Sequence, residues 1–84
     1  MSALRSLPID ITDEEAAFGF AVRHDGQAVA AELRNGLYAV KVVCDDGAVG
    51  YCVCDARLSP LYPVARSLRE LHDRFRWSFR RTYR

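Results

Sequence analysis

AFGFAVRHDGQAVAAELRNGLYAVKVVCDDGAVGYCVC, residues 17–54, is the stretch on which the fold turns. Three turn signals cut it, His24-Asp25-Gly26, Arg34-Asn35-Gly36 and Asp45-Asp46-Gly47, each with glycine in third place. That order suits a three-residue hairpin loop, a type I turn closed by a left-handed residue, and Asn35-Gly36 also suits a two-residue type I′ turn. The segments between the turns are rich in Val, Phe, Tyr and Cys. Four strands in an antiparallel meander are therefore expected, at about 17–23, 27–33, 37–44 and 48–54.

If all three loops share one geometry, Arg23 faces Gln27, Leu33 faces Leu37 and Cys44 faces Ala48. One sheet face then carries Phe18, Phe20, Val22, Ala28, Ala30, Tyr38, Val40, Val42, Cys44, Gly50, Cys52 and Cys54, with Glu32 near one end. Its small residues would let a helix lie close. The second face carries Val29, Ala31, Leu33, Leu37, Ala39, Val43, Val49, Tyr51 and Val53, interrupted by Arg23, Gln27, Lys41 and Asp55. It is more apolar than a solvent-facing antiparallel sheet normally is, and it needs a cover.

A helix is expected next, opened by Ser59-Pro60 or Tyr62-Pro63 with proline in the first turn. Leu61, Val64, Ala65, Leu68, Leu71 and Phe75 recur at helical spacing and form an apolar stripe for the first sheet face. After Asp73 both periods are present: Leu71, Phe75, Phe79 and Tyr83 keep helical spacing, whereas Phe75, Trp77 and Phe79 alternate with polar residues as in a strand. Continued helix to about residue 80 is the expectation taken. Before the sheet, Leu7, Ile9 and Ile11 alternate as a short extended segment. Thr12 and Glu15 match a capping box, placing a short helical turn from Asp13 to about Ala17. The whole chain, 1–84, reads as one α+β domain: a four-stranded meander packed on one face by a C-terminal amphipathic helix.

Eighty-four residues bound this to a single core, and 50% apolar with 27% charged residues is globular composition. The longest apolar run, Ala16 to Val22, is far below the roughly 18 residues of a membrane span. The first residues, MSALRSLPID, lack the pattern of a secretory signal, so no membrane partner and a cytoplasmic location are expected. Cys44, Cys52 and Cys54 are odd in number, and the last two sit two apart on one strand, poor disulfide geometry. They read as reduced thiols acting as small apolar residues.

The net charge of +1 conceals a dipole along the chain. Four basic against nine acidic residues precede Arg57, a balance of −5, and eight arginines against Glu70 and Asp73 follow, a balance of +6. The end of the basic half, DRFRWSFRRTYR (73–84), interleaves arginines with aromatics. These residue types dominate protein hot spots, and they also suit phosphates and unstacked bases.

The cysteines with His24 or His72 lack the paired spacing of structural zinc sites, and His72 with Asp73 gives no sign of a converging nucleophile, so no metal, no cofactor and no catalytic residue are assigned. Asp45-Asp46-Gly47 lacks the ligand spacing of a calcium loop. LRNGLYAVKV (33–42) and DGAVGYCVCD (46–55) resemble the middle sheet of small ribosome-dependent toxin nucleases. The basic motif that such nucleases carry after the last strand is missing here, and no family is assigned on this likeness.

The expectation drawn is a small non-enzymatic protein-binding module, an inhibitor or adaptor of the size often carried by phages and mobile elements. Its partner-binding residues are Arg74, Arg76, Trp77, Arg80, Arg81, Tyr83 and Arg84, meeting an acidic protein surface. A homodimer is expected through the bare second face at Val29, Leu37, Val43, Val49, Tyr51 and Val53. The alternative is a protein that binds single-stranded RNA or DNA with the same C-terminal segment.

Overall fold

A computed structural model describes residues 10–24 and 26–76. The elements are α1 (Asp13–Ala17), β1 (Phe20–Arg23), β2 (Ala28–Glu32), β3 (Tyr38–Val43), β4 (Val49–Cys54) and α2 (Leu68–Phe75), with a single 3₁₀ turn at Arg34–Gly36. The strands form one antiparallel sheet in the order β1-β2-β3-β4, the expected meander. α1 opens with the expected capping box: the Thr12 hydroxyl accepts from the Glu15 amide, and the Glu15 carboxylate accepts from the Thr12 amide. The helix it opens runs to Ala17, so β1 starts at Phe20 rather than near residue 17, and the extended segment expected at Leu7 and Ile9 lies outside the described residues.

Two of the three registers are as expected. Cys44 and Ala48 close the β3–β4 hairpin, and the Leu33 amide donates to the Leu37 carbonyl across the β2–β3 turn. The β1–β2 hairpin differs. Arg23 lies opposite Ala28, not Gln27, because the loop spans residues 24–27 with His24 at φ 58° and Gly26 at φ 80°. One extra loop residue turns β1 over, since side chains alternate along a strand. Phe20 and Val22 thereby join Val29 and Ala31 on the second face, leaving Ala21 and Arg23 on the first.

The helix also takes the other side. Leu68 and Leu71, with Phe75 beside them, pack on Phe20, Val29, Ala31, Leu33, Ala39, Tyr51 and Val53. The second face, expected to be bare, is therefore the one that α2 and α1 cover. The cause lies in residues 59–65. They do not open the helix; they run back along β4 as an irregular edge, with bridges Cys54↔Pro60 and Tyr51↔Ala65. Pro60 and Pro63 lack the amide that a central strand needs and are accommodated on an edge. Leu58, at φ 64°, turns the chain into this path, and Asp55 holds the turn by accepting from the amides of Arg57 and Ser59. Ala65, paired with Tyr51, faces the second side, and the chain enters α2 from there through the cap at Ser67, whose hydroxyl accepts from the Glu70 amide. Helix beyond Arg76, expected to residue 80, falls outside the described residues.

The first face carries a smaller cluster of Ala28, Ala30, Val40, Cys52 and Cys54, flanked by Tyr38, Val42, Leu58 and Val64. The close approach expected over its small residues is made by the edge segment: a Cβ on Gly50 would meet Val64 Cγ1 at 2.6 Å and Cys44 Sγ at 3.0 Å. No described helix is long and apolar enough to cross a membrane.

Candidate functional site

Among the described residues, three places hold chemistry. The first is the end of α2. Arg74 donates to the Pro63 carbonyl (3.0 Å) and pairs with Glu70 one turn earlier, whose other oxygen accepts from the Arg66 amide. Arg66 in turn pairs with Asp46 at 2.6 Å. Hydrogen bonds from the Arg66 amide and the neighbouring arginine hold the Glu70 carboxyl below its ordinary range; the Ala48 amide and Arg66 do the same for Asp46. Beside this end, the edge segment exposes two large apolar side chains, Leu61 (48%) and Tyr62 (46%). The Phe75 ring stands edge-on to Tyr62 at 5.0 Å. The Leu61 amide is tied to the Val53 carbonyl at 2.9 Å, so the lip is fixed to the sheet. Of the expected partner-binding residues, Arg74 and Arg76 sit here, whereas Trp77, Arg80, Arg81, Tyr83 and Arg84 lie outside the described residues.

The second is a groove of about 310 Å³ on the first face, apolar and half-open. Ala28, Val40 and Cys52 floor it, Leu58 and Pro60 wall one end, and Gln27 stands at the other. The Cys54 thiol in this floor is pushed up to about 12 by burial, with the neighbouring Cys52 and the Asp55 charge adding to it. All three cysteines are free thiols, Cys44 half-buried and the other two buried.

The third is buried and polar. Glu15, Lys41 and Tyr51, exposed by 2%, 5% and 7%, meet under α1. The Lys41 ammonium donates to Glu15 (2.9 Å) and to the Asp10 carbonyl (2.7 Å), and the Tyr51 hydroxyl donates to the second Glu15 oxygen (2.6 Å). Burial pushes the Glu15 carboxyl up, but the Tyr51 hydroxyl, the Thr12 amide and Lys41 outweigh it and leave it below its ordinary value. Burial and the Glu15 charge push Tyr51 well above the usual phenol range. The groove lining includes none of the three, so the trio fastens α1 to the sheet rather than meeting a substrate. Sequence reasoning missed it because Lys41 read as an interruption on a bare face; a lone lysine in an apolar strand register is the signal that an acid comes to meet it.

The expected dimer residues divide. Val29, Tyr51 and Val53 are buried inside the monomer under the helices, Leu37 and Val43 are half-buried, and Val49 is exposed. They do not form one accessible patch, and the reason is the same change of helix side. His72, weighed as a catalytic base, stands edge-on to Phe18 at 5.4 Å. No group of three metal-ligating side chains gathers among the described residues.

No family model matches the chain, and no curated protein and no solved structure matches it significantly.

Proposed function

We propose that this chain is a small protein-binding module, acting as an inhibitor or adaptor rather than as an enzyme. Its contact surface is the lip of Leu61 and Tyr62 together with the Arg74–Arg76 end of α2. One observation carries the reading: two large apolar side chains stand about half exposed, side by side, on a backbone fixed to β4, with Phe75 against one of them. An aromatic and aliphatic pair on a fixed backbone, with Arg74 tied to the adjacent Pro63 carbonyl, has the make-up of a protein hot spot, and little backbone freedom is left to lose on binding. The arginines favour an acidic partner. Arg66 and Arg74 are already engaged by Asp46 and Glu70, so the apolar pair carries most of the contact, and such a pair favours a protein over a phosphate backbone.

A photo-crosslinking side chain at Tyr62, in the source organism's lysate, tests this against the same group at Val22, an equally exposed position on the far edge strand. A discrete protein adduct from position 62, insensitive to nuclease and lost on Leu61→Asp, is the expected result. Equal adducts from both positions, or adducts removed by nuclease, would overturn it.

A further inference from the structure

Residues 10–17 lie against the second face with one side chain turned into it. Glu15 is 2% exposed, and the other seven residues of the run, Ile11, Ala16 and Ala17 among them, are exposed. α2 is held by burying Leu68 and Leu71, whereas α1 buries no apolar side chain, so hydrophobic burial contributes little to its attachment. The grip is polar. Glu15 accepts from Lys41 on β3 and from Tyr51 on β4, and the Asp10 carbonyl accepts from Lys41. The run ends at Phe18, which is buried and stands edge-on to His72 of α2.

Two consequences follow from that arrangement. The core cluster under α2 contains no residue of the run, so it keeps every member when the run leaves. A helix of five residues does not hold its shape alone in water, so release returns the backbone entropy of the whole run. One buried carboxylate is set against that gain.

We propose that residues 10–17 are a strap that opens as a unit while the sheet and α2 stay folded, and that it gates Lys41. Lys41 and Tyr51 are direct partners across β3 and β4, so the open strap leaves an ammonium and a phenol side by side in water. Lys41 is the single lysine of the chain, and under the closed strap it is 5% exposed. Glu15 is the key: its return to these two donors closes the strap again.

Acetyl N-hydroxysuccinimide, an amine acylator used at limiting concentration, reads the open population at Lys41, and iodoacetamide at Cys54 reads unfolding of the whole domain. Peptide mass spectrometry separates the two sites. In the full chain, Lys41 acylation is expected to be slower than that of an exposed amine and nearly flat in urea below the unfolding transition, since so short a strap exposes little surface. Cys54 alkylation should climb steeply over the same range. Glu15→Gln should speed Lys41 acylation at least about tenfold, the factor a charge-assisted hydrogen bond supplies. Gly50→Ala, on the opposite face, lowers the stability of the whole fold. It should speed Cys54 alkylation at least about fivefold and leave Lys41 acylation unchanged. The proposal fails if Lys41 acylation rises with urea at the slope of Cys54, or if Gly50→Ala speeds both sites alike. It fails equally if Glu15→Gln leaves Lys41 acylation unchanged, or if native Lys41 reacts as fast as an exposed amine.

Discussion

Removing the Glu15 side chain is the sharpest test of how this fold is held. In Glu15→Ala, the Lys41 ammonium stays buried with the Asp10 carbonyl as its remaining described acceptor, the Tyr51 hydroxyl loses its acceptor, and the Thr12 amide loses its cap. Breaking a buried ion pair from one side costs about 3–5 kcal/mol, because a desolvated charge is left without a counter-charge. A domain of this length has roughly 4–13 kcal/mol in total. The variant should therefore melt at least about 12 °C lower, read by far-ultraviolet circular dichroism, and its urea midpoint should fall in proportion. Glu15→Gln keeps the shape and one acceptor oxygen for the Thr12 amide and Lys41, while its amide nitrogen forces the Tyr51 hydroxyl to turn and accept, so it should fall between the native protein and Glu15→Ala. The pH response carries the sign. The native Glu15 carboxyl is held below its ordinary value, so its contribution is complete above roughly pH 5 and is lost as pH falls through the depressed value. Glu15→Gln should lack that acid-side loss. A Glu15→Ala protein within about 1 kcal/mol of the native one would refute the argument, since it would mean that water reaches Lys41 without cost.

Three further outcomes follow from the packing. Gly50→Ala should destabilise by about 1–3 kcal/mol, since the added methyl meets Val64, Cys44 and the Ala65 carbonyl, and Val64→Ala in the same chain should restore part of the loss in urea melts. Leu71→Ala, at a fully buried position on α2, should cost about 2–5 kcal/mol by the same measurement. Iodoacetamide at pH 8, followed by mass spectrometry, should label half-buried Cys44 first and reach Cys54 only on unfolding, because burial holds the Cys54 thiol up at about 12.

The parts of this fold that are local were legible in the residues. Thr12 with Glu15 announces α1, and the glycines of the second and third turns set their registers, because capping and turn chemistry act over three or four residues. The failures have two origins. His24 accepts a left-handed conformation usually left to glycine or asparagine, the first loop gains a residue, and β1 turns over. The stripe from Leu61 to Phe75 was helical in period, yet its first part pairs with β4, since Pro60 and Pro63 suit an edge as well as a helix start. From that path the side taken by α2 follows, and with it which face is buried. The groove was consequently invisible: its residues were assigned to the helix interface. The Arg/aromatic segment was visible from composition alone, whereas the Leu61–Tyr62 lip beside it depended on the unforeseen edge.

The proline-bearing edge has a consequence for self-association. With residues 59–65 laid irregularly along β4, that side of the sheet offers no regular ladder to a further strand, and among the described residues β1 is the border left open. Strand addition along the hydrogen-bonding direction is thus disfavoured on the β4 side by Pro60 and Pro63, which supply no amide to a ladder.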